Sequence, residues 1–189
     1  MGKFKKIETP IKDLYIIEPT IFGDHRGFFM ESYNKREFAE IGLEMDFVQD
    51  NHSKSKKGTL RGLHFQTKYS QGKLVRAIKG TVYDVAVDLR EGSETYGEYF
   101  GIILSEENKK MFYIPEGFAH GFVALTDEAE FMYKTTNYYH PEYDAGIIWN
   151  DKDIAIDWPF EEYGIKEKDL LLSDKDKKLP TLKEYNSNK

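Results

Sequence analysis

Short runs in which apolar and polar residues alternate recur along almost the whole chain, and turn-forming residues separate them. Alternation with a period of two places the apolar side chains on one face of a strand. Many such runs at short spacing predict an all-β sandwich or jelly roll rather than alternating strands and helices. The predicted strands are 14–18, 27–33, 46–51, 59–66, 73–79, 81–89, 99–104, 110–114, 120–125, 130–136 and 147–149.

Helical signals are few. Asn34 can cap a helix over residues 35–41, and Gly42 suits the position after its end. Ser173 precedes an acidic turn, which predicts short helical turns near the C-terminus. The polar residues 186–189 are expected to fray. No repeat, low-complexity segment or linker divides the sequence, so residues 1–189 are predicted to form a single domain.

Composition narrows the possible classes of protein. The net charge is −6, which argues against a general nucleic-acid-binding surface. Cysteine is absent, so disulfides and thiolate-bound metals are excluded. No apolar run is long enough to cross a bilayer, and no apolar stretch of a secretory signal follows the basic start. We therefore expect a cytoplasmic protein that binds neither nucleic acid nor membrane.

Three residues at inward positions of predicted strands could carry acid–base chemistry. His64, Lys73 and Tyr133 would offer a base, a cation and a phenolic acid to one interior. Each also has a structural explanation, because a histidine in a strand is often simply hydrogen-bonded and a tyrosine is often a core residue. Alternation alone leaves both interpretations open.

Arg61 conflicts with this arrangement. Strict alternation puts Gly62, His64 and Gln66 on one face of their strand and Arg61 on the other. Arg61 could still reach the same site if Gly62 marks a bulge, or if Arg61 lies at the mouth of the strand. The sequence does not decide between these alternatives.

A metal site is the competing interpretation for His64 and His120. A first-row metal usually needs three close protein ligands, often with a His-x-His pair. No histidine stands two positions from His64, and His25, His52 and His140 show no ligand spacing. The sequence therefore predicts no metal site.

Seven segments carry a resemblance to a known family: 24–31, 49–66, 71–76, 82–90, 114–122, 131–134 and 172–176. In their order and spacing, from about Ile16 to about Leu182, the chain resembles the dTDP-4-dehydrorhamnose 3,5-epimerase family. The resemblance implies a cupin-type jelly roll, a homodimer, and catalysis without a metal or other cofactor. Pro115, Gly117 and His120 fit the second cupin motif, and the missing His-x-His pair fits a metal-free member.

The resemblance also implies roles for individual residues. His64 would be the base and Asp176 its orienting carboxylate. Lys73 would stabilise an enolate, Tyr133 would be the acid on the opposite face, and Tyr139 would stack on thymine. The residues implied to bind the diphosphate and the sugar are Arg26, Glu31, Gln49, Asn51, Arg61, Lys73, His120, Asp144 and Lys175.

The chain departs from the family pattern at two places. Asp144 stands where the family often has glutamate, which is longer by one methylene. An insertion-like segment, residues 161–169, precedes the positions assigned to Lys175 and Asp176. These are the positions whose implied contacts most need a structure.

The implied substrate explains why these residue types are needed. In a 4-keto-6-deoxyhexose, C3 and C5 both flank the carbonyl carbon, so loss of either hydrogen gives an enolate. An imidazole, whose ordinary pKa is about 6.5, can take that proton near neutrality, and a cation can stabilise the enolate oxygen. The implied activity converts dTDP-4-dehydro-6-deoxy-D-glucose to dTDP-4-dehydro-L-rhamnose, in dTDP-L-rhamnose biosynthesis. The alternatives are a mono-epimerase acting on a related sugar and a non-catalytic sugar-binding cupin.

Overall fold

Two antiparallel sheets packed face to face form the body of the fold in the computed structural model, which describes residues 2–188. The first sheet has the order β1-β2-β10-β7-β12-β5 and the second β13-β6-β11-β8-β9, while β3 and β4 form a separate hairpin. The strands are β1 (Phe4–Glu8), β2 (Tyr15–Pro19), β3 (Phe22–Asp24), β4 (Gly27–Phe29), β5 (Gln49–Lys56), β6 (Leu60–Gln66), β7 (Lys73–Lys79), β8 (Thr81–Asp88), β9 (Tyr99–Ser105), β10 (Met111–Ile114), β11 (Phe118–Ala124), β12 (Glu128–Thr135) and β13 (Asp144–Gly146). The predicted all-β jelly roll is confirmed.

Three apolar clusters hold the sheets and their covering segments together. The inner cluster lies between the sheets and includes Val75, Phe112 and Phe131. A second cluster joins the outer face of the second sheet to the segment after β13, through residues such as Trp149 and Trp158. A third joins the first sheet to the single early helix. Both faces of the central strands are therefore buried, and burial of this apolar area is the main stabilising contribution.

The early helix lies where its capping residue predicts it, whereas the C-terminal helix was not predicted and extends into the segment expected to fray. Helix α1 spans Lys35–Glu40, and the Oδ1 atom of Asn34 accepts hydrogen bonds from two amides of its first turn. The C-terminal region holds 3₁₀ turns at Glu167–Asp169 and Asp176–Lys178, then helix α2 at Leu182–Ser187. Residues 186 and 187 are therefore helical, and Lys189 of the segment predicted to fray lies outside the described residues. Neither α-helix is long enough to cross a membrane, and no helix within residues 2–188 is.

The largest errors of the strand prediction fall on the edges of the sheets. Strand β1 was not predicted, and β5 continues beyond the predicted end at residue 51 to Lys56, through Lys54. Both are edge strands, where exposed lysines are common because they hinder pairing with another chain. The single strand predicted over 27–33 is instead part of the β3–β4 hairpin, and β13 precedes the segment 147–149 predicted as a strand.

A bulge in β6 resolves the conflict over Arg61. Between β6 and β11, His64 pairs with His120 and Arg61 pairs with Phe122. An advance of three residues along β6 therefore matches an advance of two residues along β11. Gly62 lies inside this irregularity with a φ of 123°, a conformation that suits glycine. The bulge shifts the alternation by one residue, and Arg61 therefore lines the same cavity as His64.

We expect Gly62→Ala to destabilise the protein and to disturb this cavity. A Cβ at position 62 would lie 2.6 Å from the Cα of Gly121 and 2.8 Å from the carbonyl oxygen of His120. Overpacking of this kind and an unfavourable φ together cost about 2–5 kcal/mol. Urea unfolding would measure the loss.

Gly92→Ala is the matched control, because Gly92 also has a positive φ, 76°, but a Cβ there would meet nothing within 4 Å. It should lose only the backbone contribution, about 1 kcal/mol. Equal losses in the two variants would contradict the close approach of β6 and β11.

Candidate active site

A cavity of about 530 Å³ opens at one end of the sandwich, which is the size range of small-molecule sites. Strands β5, β6, β7, β11 and β12 contribute to its wall, and the C-terminal segment 171–176 closes one side. Ten of the residues predicted for the site line it: Asn51, Arg61, His64, Lys73, His120, Tyr133, Tyr139, Asp144, Lys175 and Asp176.

His64 and Asp176 form a hydrogen-bonded pair in this cavity. The His64 Nε2 atom lies 2.6 Å from Asp176 Oδ1, although the two residues are 112 positions apart. Burial alone would raise the pKa of Asp176, but hydrogen bonds from His64 and the Gly62 amide hold that pKa below its ordinary value. The carboxylate therefore stays ionised and accepts the Nε2 proton, which leaves the Nδ1 lone pair of His64 available as a base.

Asp176 is fixed by the turn that carries it. The side chain is buried, and its backbone amide donates to Ser173 Oγ at 3.1 Å. Ser173 therefore holds the first residue of the 3₁₀ turn, although the capping position of that turn is Lys175 and not Ser173 as the sequence suggested. The His64 side chain is 32% exposed, so the ring can be reached from the cavity while its partner cannot.

Lys73 is a buried ammonium without a hydrogen-bond partner among residues 2–188. It begins β7 and lies between Ile114 of β10 and Thr135 of β12. Burial lowers the pKa of Lys73 to about 8, and the carboxylates of Asp84 and Asp144 oppose that effect. No buried side-chain nitrogen or oxygen in the described chain lacks a partner, so Nζ must be reached from the cavity. A cation in this position can stabilise negative charge on a ligand.

Tyr133 places a second unpartnered polar group in the cavity. Its hydroxyl has no hydrogen bond to another residue of the described range, and the ring packs edge-on against His120 with centroids 6.5 Å apart. Burial raises the pKa of Tyr133, and the positive charge of Arg61 only partly offsets this. The phenol is therefore protonated near neutral pH and able to donate a proton.

Positive charge collects at the mouth of the cavity although the chain is acidic. Arg61 donates to Ser55 Oγ at 3.2 Å and to the carbonyl of Lys54 at 3.4 Å, and has no carboxylate partner within residues 2–188. Lys175 pairs with Asp144, which also accepts from the Tyr139 hydroxyl at 3.0 Å. The shorter Asp144 is thus long enough to link Tyr139 and Lys175. Because no carboxylate of residues 2–188 neutralises it, the guanidinium of Arg61 suits a phosphate or diphosphate.

Three predicted substrate contacts lie outside the cavity of this chain. Arg26 is on the β3–β4 hairpin and pairs with Asp24, and Glu31 pairs with Lys3. Gln49 instead accepts from the backbone amide of Tyr139 at 3.1 Å, so it holds the ring that lines the cavity. Substrate binding by these three residues stays a prediction.

Asp84 is the main residue of the site that sequence reasoning passed over. It is fully buried on β8, and both its oxygens lie within 3.1 Å of His120 Nε2. A signal was present, because an aspartate inside the apolar run 82–87 must find a buried partner. Gln66 was also given no role, and its buried amide ties the loops of Tyr69 and Tyr138 together.

The described chain contains no cluster of three or more histidine or acidic side chains arranged to hold a metal ion. His64 and His120 are neighbours on adjacent strands, but each ring is hydrogen-bonded to its own aspartate.

Comparison with known proteins agrees with this geometry. A family model described as dTDP-4-dehydrorhamnose 3,5-epimerase matches residues 8–184. The chain belongs to this family. It is 55% identical to the dTDP-4-dehydrorhamnose 3,5-epimerase of Methanothermobacter thermautotrophicus, over 97% of both chains, and 56% identical to that of Escherichia coli, over 94% of both.

A solved structure supports the same relationship. The 3,5-epimerase of Legionella pneumophila, in complex with dTDP-4-keto-L-rhamnose, is 49% identical and superposes with a TM-score of 0.91. The match covers 98% of this chain and 96% of that one. The expected family, fold and enzyme class, an isomerase, are confirmed.

We expect the epimerase rate to fall above about pH 8, because the buried ammonium of Lys73 loses its proton there. Lys73→Arg should flatten this limb up to about pH 9.5, since a guanidinium stays protonated beyond pH 12. The shape of the kcat profile is the measurement, with circular dichroism at each pH to exclude unfolding. If the fall of kcat above about pH 8 persists unchanged in Lys73→Arg, a group other than Lys73 causes it.

Proposed function

We propose that this cavity epimerises dTDP-4-dehydro-6-deoxy-D-glucose at C3 and C5, giving dTDP-4-dehydro-L-rhamnose, with His64, Lys73, Tyr133 and Asp176 as the catalytic residues. The observation that carries the proposal is the combination of a His–Asp pair with an unpartnered ammonium and an unpartnered phenol in one cavity. A base, an enolate-stabilising cation and an acid are the three groups that inversion next to a ketone requires.

Proton removal is the first step. The Nδ1 lone pair of His64 takes the proton from C3 or C5, the electron pair of the broken C–H bond forms a C=C bond to C4, and the π pair of the carbonyl moves to its oxygen. Asp176 stabilises the imidazolium that forms, and Lys73 stabilises the enolate oxygen. Stabilisation by one such preorganised group typically contributes ~10²–10³ in rate.

Inversion is completed from the other side of the sugar. The enolate collapses to the ketone as its carbon takes a proton from the Tyr133 hydroxyl, leaving a tyrosinate and an imidazolium. Exchange with solvent through the cavity mouth restores both groups before the second carbon reacts. Solvent hydrogen is therefore built into both positions.

Binding of the nucleotide uses the rim of the cavity. Arg61 would hold the diphosphate through its planar donors, with Lys175, Asn51 and His120 placed for further contacts with the diphosphate or sugar. The Tyr139 ring is 51% exposed, which leaves a face for stacking on thymine.

We further propose that the protein is a homodimer in which the β3–β4 hairpin of each copy reaches the cavity of the other. Phe22, Phe28 and Phe29 of the hairpin are each more than half exposed, which is an unfavourable arrangement in water. A second copy would cover these rings. It would also carry Arg26, which this chain holds away from its own cavity, to the diphosphate.

A cytoplasmic location stays a prediction from the sequence.

Inversion at only one carbon is the alternative reaction, because the same acid–base set suits either outcome. Incorporation of deuterium from D₂O at C3 and at C5, read separately by NMR, distinguishes them.

His64→Asn should abolish deuterium incorporation at both carbons, because one base serves both. Loss of general base catalysis corresponds to about 10²–10⁴ in rate. Calorimetric binding of dTDP should be retained. His140→Asn is the matched control, since His140 does not line the cavity and its Nδ1 atom contacts Glu142 at 3.2 Å. Exchange at the wild-type rate at either carbon would show that another group is the base there.

Tyr133→Phe should separate exchange from inversion, because it removes only the hydroxyl. His64 and Lys73 remain, so deuterium should still enter the substrate, mostly with retention of configuration. Formation of the L-product should fall much further than exchange does. Tyr113→Phe removes a hydroxyl near the third cluster, outside the cavity, and should change neither. Near wild-type inversion in Tyr133→Phe would make Tyr133 a packing residue.

Mixing Arg26→Ala with His64→Asn should restore activity if Arg26 acts across the dimer. Arg26→Ala alone should raise KM strongly, since charge-assisted hydrogen bonds contribute about 1.5–3 kcal/mol. A mixed dimer of Arg26→Ala and His64→Asn then contains one complete site, so refolding the variants together should recover part of the wild-type rate. Arg36→Ala, an exposed arginine of α1, is the control for KM. No recovery in isolated mixed dimers, or a monomer by light scattering, would contradict the proposal.

A further inference from the structure

A buried carboxylate lies behind the cavity wall, where the epimerase mechanism above does not use it. Asp84 is 0% exposed, and the inward neighbours Val82 and Ala86 of its own strand are apolar. Its hydrogen bonds are to a single group, the His120 Nε2 atom, at 2.9 and 3.1 Å. An isolated carboxylate in such surroundings is strongly unfavourable, so it persists only with compensating groups nearby.

The contact with Asp84 fixes which nitrogen of His120 faces the cavity. Nε2 is taken by the carboxylate, and Nδ1 has no hydrogen bond to any residue of the range 2–188. Because no buried polar side-chain atom there lacks a partner, Nδ1 must be open to the cavity that His120 lines. Burial lowers the pKa of His120, so the ring is neutral, with its proton on Nε2 and a lone pair on Nδ1.

A lone pair at this position changes the kind of ligand atom that His120 can hold. Diphosphate oxygens carry no proton near neutrality, so they cannot donate to Nδ1. A sugar hydroxyl can donate to it. The family resemblance left open whether His120 binds the diphosphate or the sugar. An acceptor at Nδ1 suits the sugar.

The same carboxylate acts on Lys73. The negative charges of Asp84 on β8 and Asp144 on β13 act on Lys73, and both raise its pKa and so favour its charged form. His120 is faced by Asp84, Lys73 and His64 and contacts the Tyr133 ring. Lys175 already neutralises Asp144, whereas the neutral His120 leaves the negative charge of Asp84 to compensate Lys73.

We infer that Asp84 is a positioning residue: its carboxylate holds His120 as a hydrogen-bond acceptor for a sugar hydroxyl and keeps the buried Lys73 in its ammonium form. The consequence for turnover rests on the role proposed for Lys73. The His120 tautomer and the charge of Lys73 do not, and both can be measured without substrate.

NMR of the free protein tests the inference directly. In ¹³C-lysine-labelled protein, with the Lys73 signal assigned from Lys73→Arg, Asp84→Asn should lower the titration midpoint of Lys73 by about one pH unit or more. Asp88→Asn is the matched control, because Asp88 is equally buried on the same strand and bonds Arg90, Ser93 and Thr95 instead. It should leave the midpoint unchanged. An unchanged midpoint in folded Asp84→Asn overturns the inference.

The wild-type protein provides a second measurement that does not depend on a variant folding. In ¹⁵N-histidine spectra, with His120 assigned from His120→Gln, its Nε2 should be protonated and its Nδ1 unprotonated at pH 7. A proton on Nδ1 overturns the assignment of His120 as an acceptor.

Kinetics then separates this inference from the proposed function. The fall of kcat at high pH should move to lower pH in Asp84→Asn. The size of this shift should equal the shift in the titration midpoint of Lys73. If the titration midpoint of Lys73 shifts but the pH dependence of kcat does not, Asp84 positions these groups as inferred and Lys73 takes no part in catalysis.

Discussion

The bulge at Gly62 is the constraint on which the candidate site depends. Without it, strict alternation along β6 would point Arg61 away from the cavity that His64 faces. The same backbone brings Gly62 within contact of Gly121 on β11, and its amide helps to hold the Asp176 carboxylate. The bulge therefore brings the cation Arg61, the base His64 and its partner Asp176 around a single cavity.

Hydrogen bonding of the carboxylates explains how the other groups of the site are arranged. Asp176 is paired with His64, Asp84 with His120, and Asp144 with Lys175. Each carboxylate is thus satisfied within the protein, as burial requires. Within residues 2–188, Lys73 and Arg61 have no direct ion pair, so the cavity of an acidic chain presents positive charge to a ligand. This suits both an anionic nucleotide sugar and an enolate.

The two histidines show how neighbouring strands place one side-chain type in two different environments. His64 and His120 are paired across β6 and β11, and each uses Nε2 to contact an aspartate. The His64 ring is substantially exposed, whereas His120 is buried between Asp84 and the rings of Phe131 and Tyr133. Exposure makes the first ring suitable for moving a proton, and burial makes the second suitable for holding a ligand in place.

The sequence by itself determined the β class, the helix at α1 and the inward positions of His64, Lys73 and Tyr133, because strand alternation and helix caps are local properties. It missed β1 and the end of β5, whose lysines are tolerated because these strands lie at sheet edges. Asp176 was reached only through resemblance to the family, since 112 residues separate it from His64. The position of Arg61 and the pairing of Asp84 were decided by the tertiary structure, because a bulge and a buried hydrogen bond depend on which strands become neighbours.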